Sequence, residues 1–62
     1  MITLTKLNKE SFTLNAVYIE KIEATPDTMI FLTNGKHYVV LEPVEEVKRR
    51  VTKFYHDIQI LK

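Results

Sequence analysis

Apolar and polar residues alternate with a period of two over most of the first forty positions, and the period lengthens to that of a helix after Pro43. Ile2 and Leu4 alternate with threonines, and Phe12 and Leu14 with polar neighbours, so 2–7 and 11–14 are expected to be strands. The short polar stretch Asn8-Lys9-Glu10 joins them as a hairpin. Asn8 tolerates a left-handed backbone while Lys9 is a poorer turn residue than glycine, which leaves the type of this turn open. From Asn15 the pattern changes. Asn15-Ala16 opens a tight turn or a single helical turn, with Asn15 as its local cap, before Val17, Ile19 and Ile22 appear. Residues 20–24 mix charged and apolar side chains in the manner of an edge strand. Thr25-Pro26-Asp27 then turns the chain, because proline sets φ for the first corner and Asp27 can bond the backbone two residues on.

Thr28 to Thr33 places Ile30 and Leu32 on one face and Met29 and Phe31 on the other, the pattern of a central strand covered on both sides. Asn34-Gly35 follows and predicts a two-residue type I′ turn, in which both central residues take positive φ. Lys36 to Leu41 is the return strand, with Tyr38 and Val40 on one face and His37, Val39 and Leu41 on the other. After Glu42-Pro43, residues Val44, Val47, Val51, Phe54, Tyr55 and Ile58 recur at helical spacing, and Glu45 and Glu46 lie at the positive end of the dipole. The opposite face carries Lys48, Arg49 and Lys53.

The fold class expected from these elements is α+β: a small antiparallel sheet of four to five strands in two hairpins, with one C-terminal helix packed on it. A single domain spans 1–62, β-rich over 1–42, helical over about 43–58, and ending in a short apolar tail at 59–62.

Composition narrows the function more than the fold. Sixty-two residues lie near the size at which burial barely covers conformational entropy, and no cysteine is present to supply disulfides or a thiolate metal site. Stability must then come from packing or from self-association. The longest apolar runs, Met29 to Leu32 and Tyr38 to Leu41, are far too short to span a bilayer, and the N-terminal residues do not form a signal peptide. A cytoplasmic protein is expected. A net charge of +1 argues against general attraction to nucleic acid or membrane surfaces.

Catalysis requires convergent groups. His37 and His56 have no second ligand at metal-binding spacing, Ser11 is the only serine, and one glycine excludes a glycine-rich phosphate loop. Glu45 and Glu46 are better explained by the helix N-terminus than as an acid-base pair, since adjacent helical side chains diverge. No enzyme, cofactor or metal site is expected. Lys48, Arg49, Arg50 and Lys53 could meet phosphates, but Glu45, Glu46 and Asp57 lie at pairing distance along the helix and no aromatic residues interleave for base stacking. The apolar residues Ile58, Ile60 and Leu61 either fold back on the sheet or insert into a neighbour. The candidate partner-binding set is therefore Lys48, Arg49, Lys53, Ile58, Ile60 and Leu61.

One family likeness sharpens this. Ile19-Glu20-Lys21-Ile22-Glu23-Ala24-Thr25-Pro26-Asp27-Thr28, followed by Leu32-Thr33-Asn34-Gly35-Lys36-His37-Tyr38-Val39-Val40, resembles the FlbD-type bacterial flagellar proteins, the family of the SwrD swarming motility type. The likeness extends over Ile2 to Asn8, Phe12 to Asn15 and Val44 to Val47. Lys9 departs from it, standing where that family often has glycine, and Pro43 stands where a small capping residue is usual. The resemblance implies a short cytoplasmic accessory protein that supports motility and swarming, linked to the power delivered by the motor stators. Its partner would be a flagellar motor or basal-body protein. It implies no catalytic residues. Two other readings compete: a small regulatory nucleic-acid-binding protein using the basic helix face, and a homo-oligomer held by strand edges and the apolar tail.

Overall fold

A computed structural model describes the backbone of residues 1–24 and 26–60 and the side chains of 1–24 and 26–58. The chain runs β1 (Ile2–Thr5), β2 (Ser11–Leu14), a 3-10 turn (Ala16–Tyr18), β3 (Ile19–Glu23), β4 (Thr28–Leu32), β5 (His37–Val40) and α1 (Val44–Ile60). All strand pairs are antiparallel, β1 with β2 in one sheet and β3-β4-β5 in the other. A bridge between Lys6 and Val40 and a 2.8 Å bond from the Leu41 N–H to the Thr5 carbonyl lay β1 beside β5. The strands therefore follow one another in space as β2-β1-β5-β4-β3. This is the expected α+β architecture of five strands and one helix.

The β1-β2 and β4-β5 hairpins close with the same three-residue loop. In the first, the Lys9 N–H donates to the Lys6 carbonyl and the Lys6 N–H to Glu10; in the second, Gly35 donates to Leu32 and Leu32 to Lys36. Each is a turn of type I character whose last loop residue is left-handed, Lys9 at φ 72° and Gly35 at φ 89°. The type I′ turn expected at Asn34-Gly35 is corrected by this geometry: Asn34 does not take positive φ, because β4 ends one residue earlier and Thr33 joins the loop. Asn8 and Asn34 occupy equivalent positions, and their side chains accept the N–H two residues on, from Glu10 at 3.0 Å and Lys36 at 2.9 Å. Asn15 repeats the device at the 3-10 turn, where it accepts from Val17 at 3.1 Å as the expected cap. All three asparagines of the chain thus substitute a side-chain oxygen for a missing backbone acceptor.

The core gathers Ile2 and Leu4 from β1, Leu14, Ala16, Ile30 and Leu32 from β4, Val40, and Val47 from the helix. Leu4, Ile30 and Val47 are fully buried. β3 is an edge strand, as its mixed composition implied, and a register shift between Ile19 and Lys21 lets Ile19 and Ile22, three positions apart, both pack against the core. β4 is central in its sheet, but only one of its faces is closed off. Thr28, Ile30 and Leu32 are buried, whereas Met29 and Phe31 are partly buried and shielded edgewise by cross-strand neighbours. Lys21 places its ammonium 4.8 Å from the Phe31 ring centre, and the His37 ring lies 5.9 Å from it. The expected second cover is therefore made of long side chains and not of another layer.

α1 packs along β1 and extends through residues 59 and 60, which were expected to begin the tail. Pro43 precedes it, its carbonyl accepting from Glu46 and Val47. Val44, Val51 and Phe54 are partly buried around Val47, but Tyr55 is 43% exposed and Ile58 37%. A turn of about 100° per residue lets only one of Phe54 and Tyr55 face the core, so the two rings meet edge-on at 5.4 Å and Tyr55 leaves the expected stripe. The turn at Thr25-Pro26-Asp27 lies partly outside the described residues, Thr25 being one of those left out.

Candidate functional site

The basic helix face is wired by carboxylates into the start of the sheet. Glu46, in the first turn, accepts from Arg49 Nε at 3.0 Å and Nη2 at 2.6 Å, and from Arg50 Nε at 2.6 Å. Arg50 also donates from Nη1 to the Thr3 carbonyl at 2.6 Å, and lies 3.4 Å from Glu42 Oε2. Glu42 accepts twice from β1, from the Thr5 N–H at 2.9 Å and the Thr5 hydroxyl at 2.7 Å. One turn further along the helix, Lys53 pairs with Asp57 at 3.0 Å. The sequence Thr3, Thr5, Glu42, Glu46, Arg49, Arg50 is thus one continuous hydrogen-bonded chain that fastens α1 to β1.

The electrostatics follow from these contacts. The hydrogen bonds from Arg49 and then Arg50 pull the Glu46 carboxyl down to about 2, and the same contact raises the Arg49 guanidinium. Burial pushes the Glu42 carboxyl up, but the Thr5 N–H and hydroxyl bonds and the Arg50 charge together outweigh it and leave Glu42 below its ordinary value. Both acids are therefore held ionised by the groups they fasten.

Of the sequence-predicted residues, Arg49 and Lys53 project from the helix surface with their charges paired to Glu46 and Asp57. Lys48 is exposed and, among the described residues, has no carboxylate partner. Ile58 is exposed; the side chain of Ile60 and the whole of Leu61 lie outside the described residues. Arg49 and Lys53 border, with Arg50, Phe54 and the Ile2-Thr3 end of β1, a groove of about 280 Å³. His37 sits on β5 beside Phe31, and His56 is exposed on the helix. Among the described residues no three His, Asp or Glu side chains come together.

Sequence reasoning identified the Glu46 to Arg50 spacing as a helical pair but missed Glu42 and Thr5. Their bond spans 37 positions and carries no local pattern; the only hint was an acidic residue directly before a proline-led helix.

Compared with known proteins, the chain matches a family model over residues 1–59, that of the FlbD proteins, described as flagellar and swarming motility proteins. No curated protein and no solved structure matched it. The matched region covers all five strands, the Thr5–Glu42 link and nearly all of α1, and the chain belongs to the FlbD family of flagellar and swarming motility proteins.

Proposed function

We propose that this protein supports flagellar motility and swarming as a non-catalytic accessory factor of the SwrD type. It acts from the cytoplasm by raising the power that the stators deliver to the flagellar motor, through contact with a motor or basal-body protein. The observation that carries the reading is the family match over 1–59, which ties the whole fold to the motility system. The contact surface proposed is the exposed helix face, Lys48, Arg49 and Lys53, continued by Ile58, Ile60 and Leu61. Lys48 and Ile58 support it, being a cation without a carboxylate partner among the described residues and an aliphatic side chain left exposed toward the far end of the apolar stripe. Arg49 and Lys53 contribute through whichever donors their carboxylate partners leave unused.

An in-frame deletion complemented with variants tests this. Wild-type chain restores swarming, whereas a chain carrying Lys48→Glu and Lys53→Glu and truncated after Asp57 remains folded and fails to restore it. Full restoration by that variant would discard the helix face, and undiminished swarming of the deletion itself would discard the role.

A further inference from the structure

Most of the arginine and lysine charges on the helix are answered within the molecule, but those of the β1-β2 and β4-β5 loops are not. Arg49, Arg50 and Lys53 face Glu46, Glu42 and Asp57. Among the described residues, no carboxylate pairs with Lys6, Lys9 or Lys36. Glu10, the acid on the same turn, is engaged by the Asn8 amide at 2.7 Å. The Lys6–Val40 bridge brings this turn against β5, and between them opens a shallow cleft of about 440 Å³. Lys6, Leu7 and Asn8 line one side of it, and His37, Tyr38 and Val39 the other. No acidic side chain lines it. Leu7 is 54% exposed at the rim. The Tyr38 ring packs against Phe12 at 5.0 Å with the two planes tilted by 34°, which holds that wall in place.

We propose that this cleft docks an acidic segment of a protein partner, which lays an aliphatic side chain between Leu7 and Val39 and sets a carboxylate against Lys6, with Lys9 and Lys36, the chain neighbours of Asn8 and His37, adding positive charge. Charge complementarity selects the occupant: Lys6 lines the apolar walls with its ammonium 5.6 Å from the Phe12 ring centre and no carboxylate partner among the described residues, so an incoming carboxylate gains attraction without displacing an existing ion pair. The loop is pre-organised by the Asn8 bond to Glu10, which reduces the ordering cost on binding. The walls argue against nucleic acid, because Tyr38 is the one phenyl or phenol ring lining the cleft and supplies no succession of rings for bases to stack on. The concave form suits an inserted side chain more than a lipid surface. This surface is separate from the helix face and adds a second point of attachment to it.

The test is an NMR titration of the 15N-labelled full chain with a short synthetic peptide alternating leucine with aspartate and glutamate. Controls are the same peptide with serine for leucine, the same peptide with lysine for the acids, phosphatidylglycerol vesicles and single-stranded DNA. Saturable shifts are expected at the Leu7, Asn8, His37 and Val39 amides with the first peptide alone. Leu7→Ser and Lys6→Gln, whose spectra otherwise overlay the parent, should each weaken binding about tenfold. Shifts confined to α1, no shift with the acidic leucine peptide, equal binding of the lysine peptide, or movement of these amides by vesicles or DNA alone would overturn the proposal.

Discussion

Replacing Lys9 with glycine should stabilise the protein, although it removes a charged side chain and adds no contact. Lys9 is held at φ 72°, where the side chain of an L-residue crowds its own backbone, at a cost of roughly 1–2 kcal/mol. Glycine removes that strain but brings a more flexible unfolded chain, which returns roughly 0.5–1 kcal/mol. The net gain is about 0.5–1 kcal/mol. In a domain of this size, that raises Tm by about 4–8 °C. Gly35 is the internal control, since it fills the equivalent position of the other loop at φ 89°, and a Cβ built there meets nothing within 4 Å. Gly35→Ala should therefore lose about 1 kcal/mol from backbone strain alone. Thermal melts of the parent and both variants, followed by circular dichroism, measure the two effects. A Tm for Lys9→Gly equal to or below the parent value would refute the shared-loop reasoning, and so would a neutral Gly35→Ala.

Three other outcomes follow from the packing and the charge chain. Glu42→Ala removes two charge-assisted bonds to Thr5 and leaves its N–H without that acceptor, so urea denaturation should show a loss of about 2 kcal/mol. Glu46 is held at about 2 when folded against an ordinary 4.5, so the unfolded chain takes up the proton more readily. Its stabilising contribution is present above pH 4.5 and is lost as pH falls towards 2; Glu46→Gln should flatten the acid limb of a stability-against-pH curve. Leu4→Ala opens a cavity in the fully buried centre and should cost about 3 kcal/mol, a large fraction of the ~3–9 kcal/mol expected for a chain of this length, which equilibrium unfolding would show as a sharply lowered midpoint.

Periodicity made most of this fold legible from residue order. Alternation along Ile2-Leu4 and Ile30-Leu32 located the buried strand faces, and the change of period after Pro43 located the helix. These signals are local and repeat over several residues. The loop type was not legible, because Asn34-Gly35 serves a two-residue turn as readily as the last two places of a three-residue one. The choice depends on where β4 stops pairing. The spacing of Ile19 and Ile22 similarly looked like a weak strand until the bulge brought both to one face. The helix-to-sheet fastening was the least accessible. Basic residues could be read as exposed from their spacing, but Glu42 and Thr5 meet only through the folded topology. The cleft beside Leu7 escaped notice for the same reason, its walls coming from residues about thirty positions apart.

The most direct measurement is the torque of single flagellar motors, read from the rotation of beads attached to filament stubs, in a deletion strain and after expression of the wild-type chain. Membership in a flagellar and swarming motility family together with the proposed stator role predicts assembled filaments, reduced torque and recovery on expression. Wild-type torque in the deletion strain would contradict it.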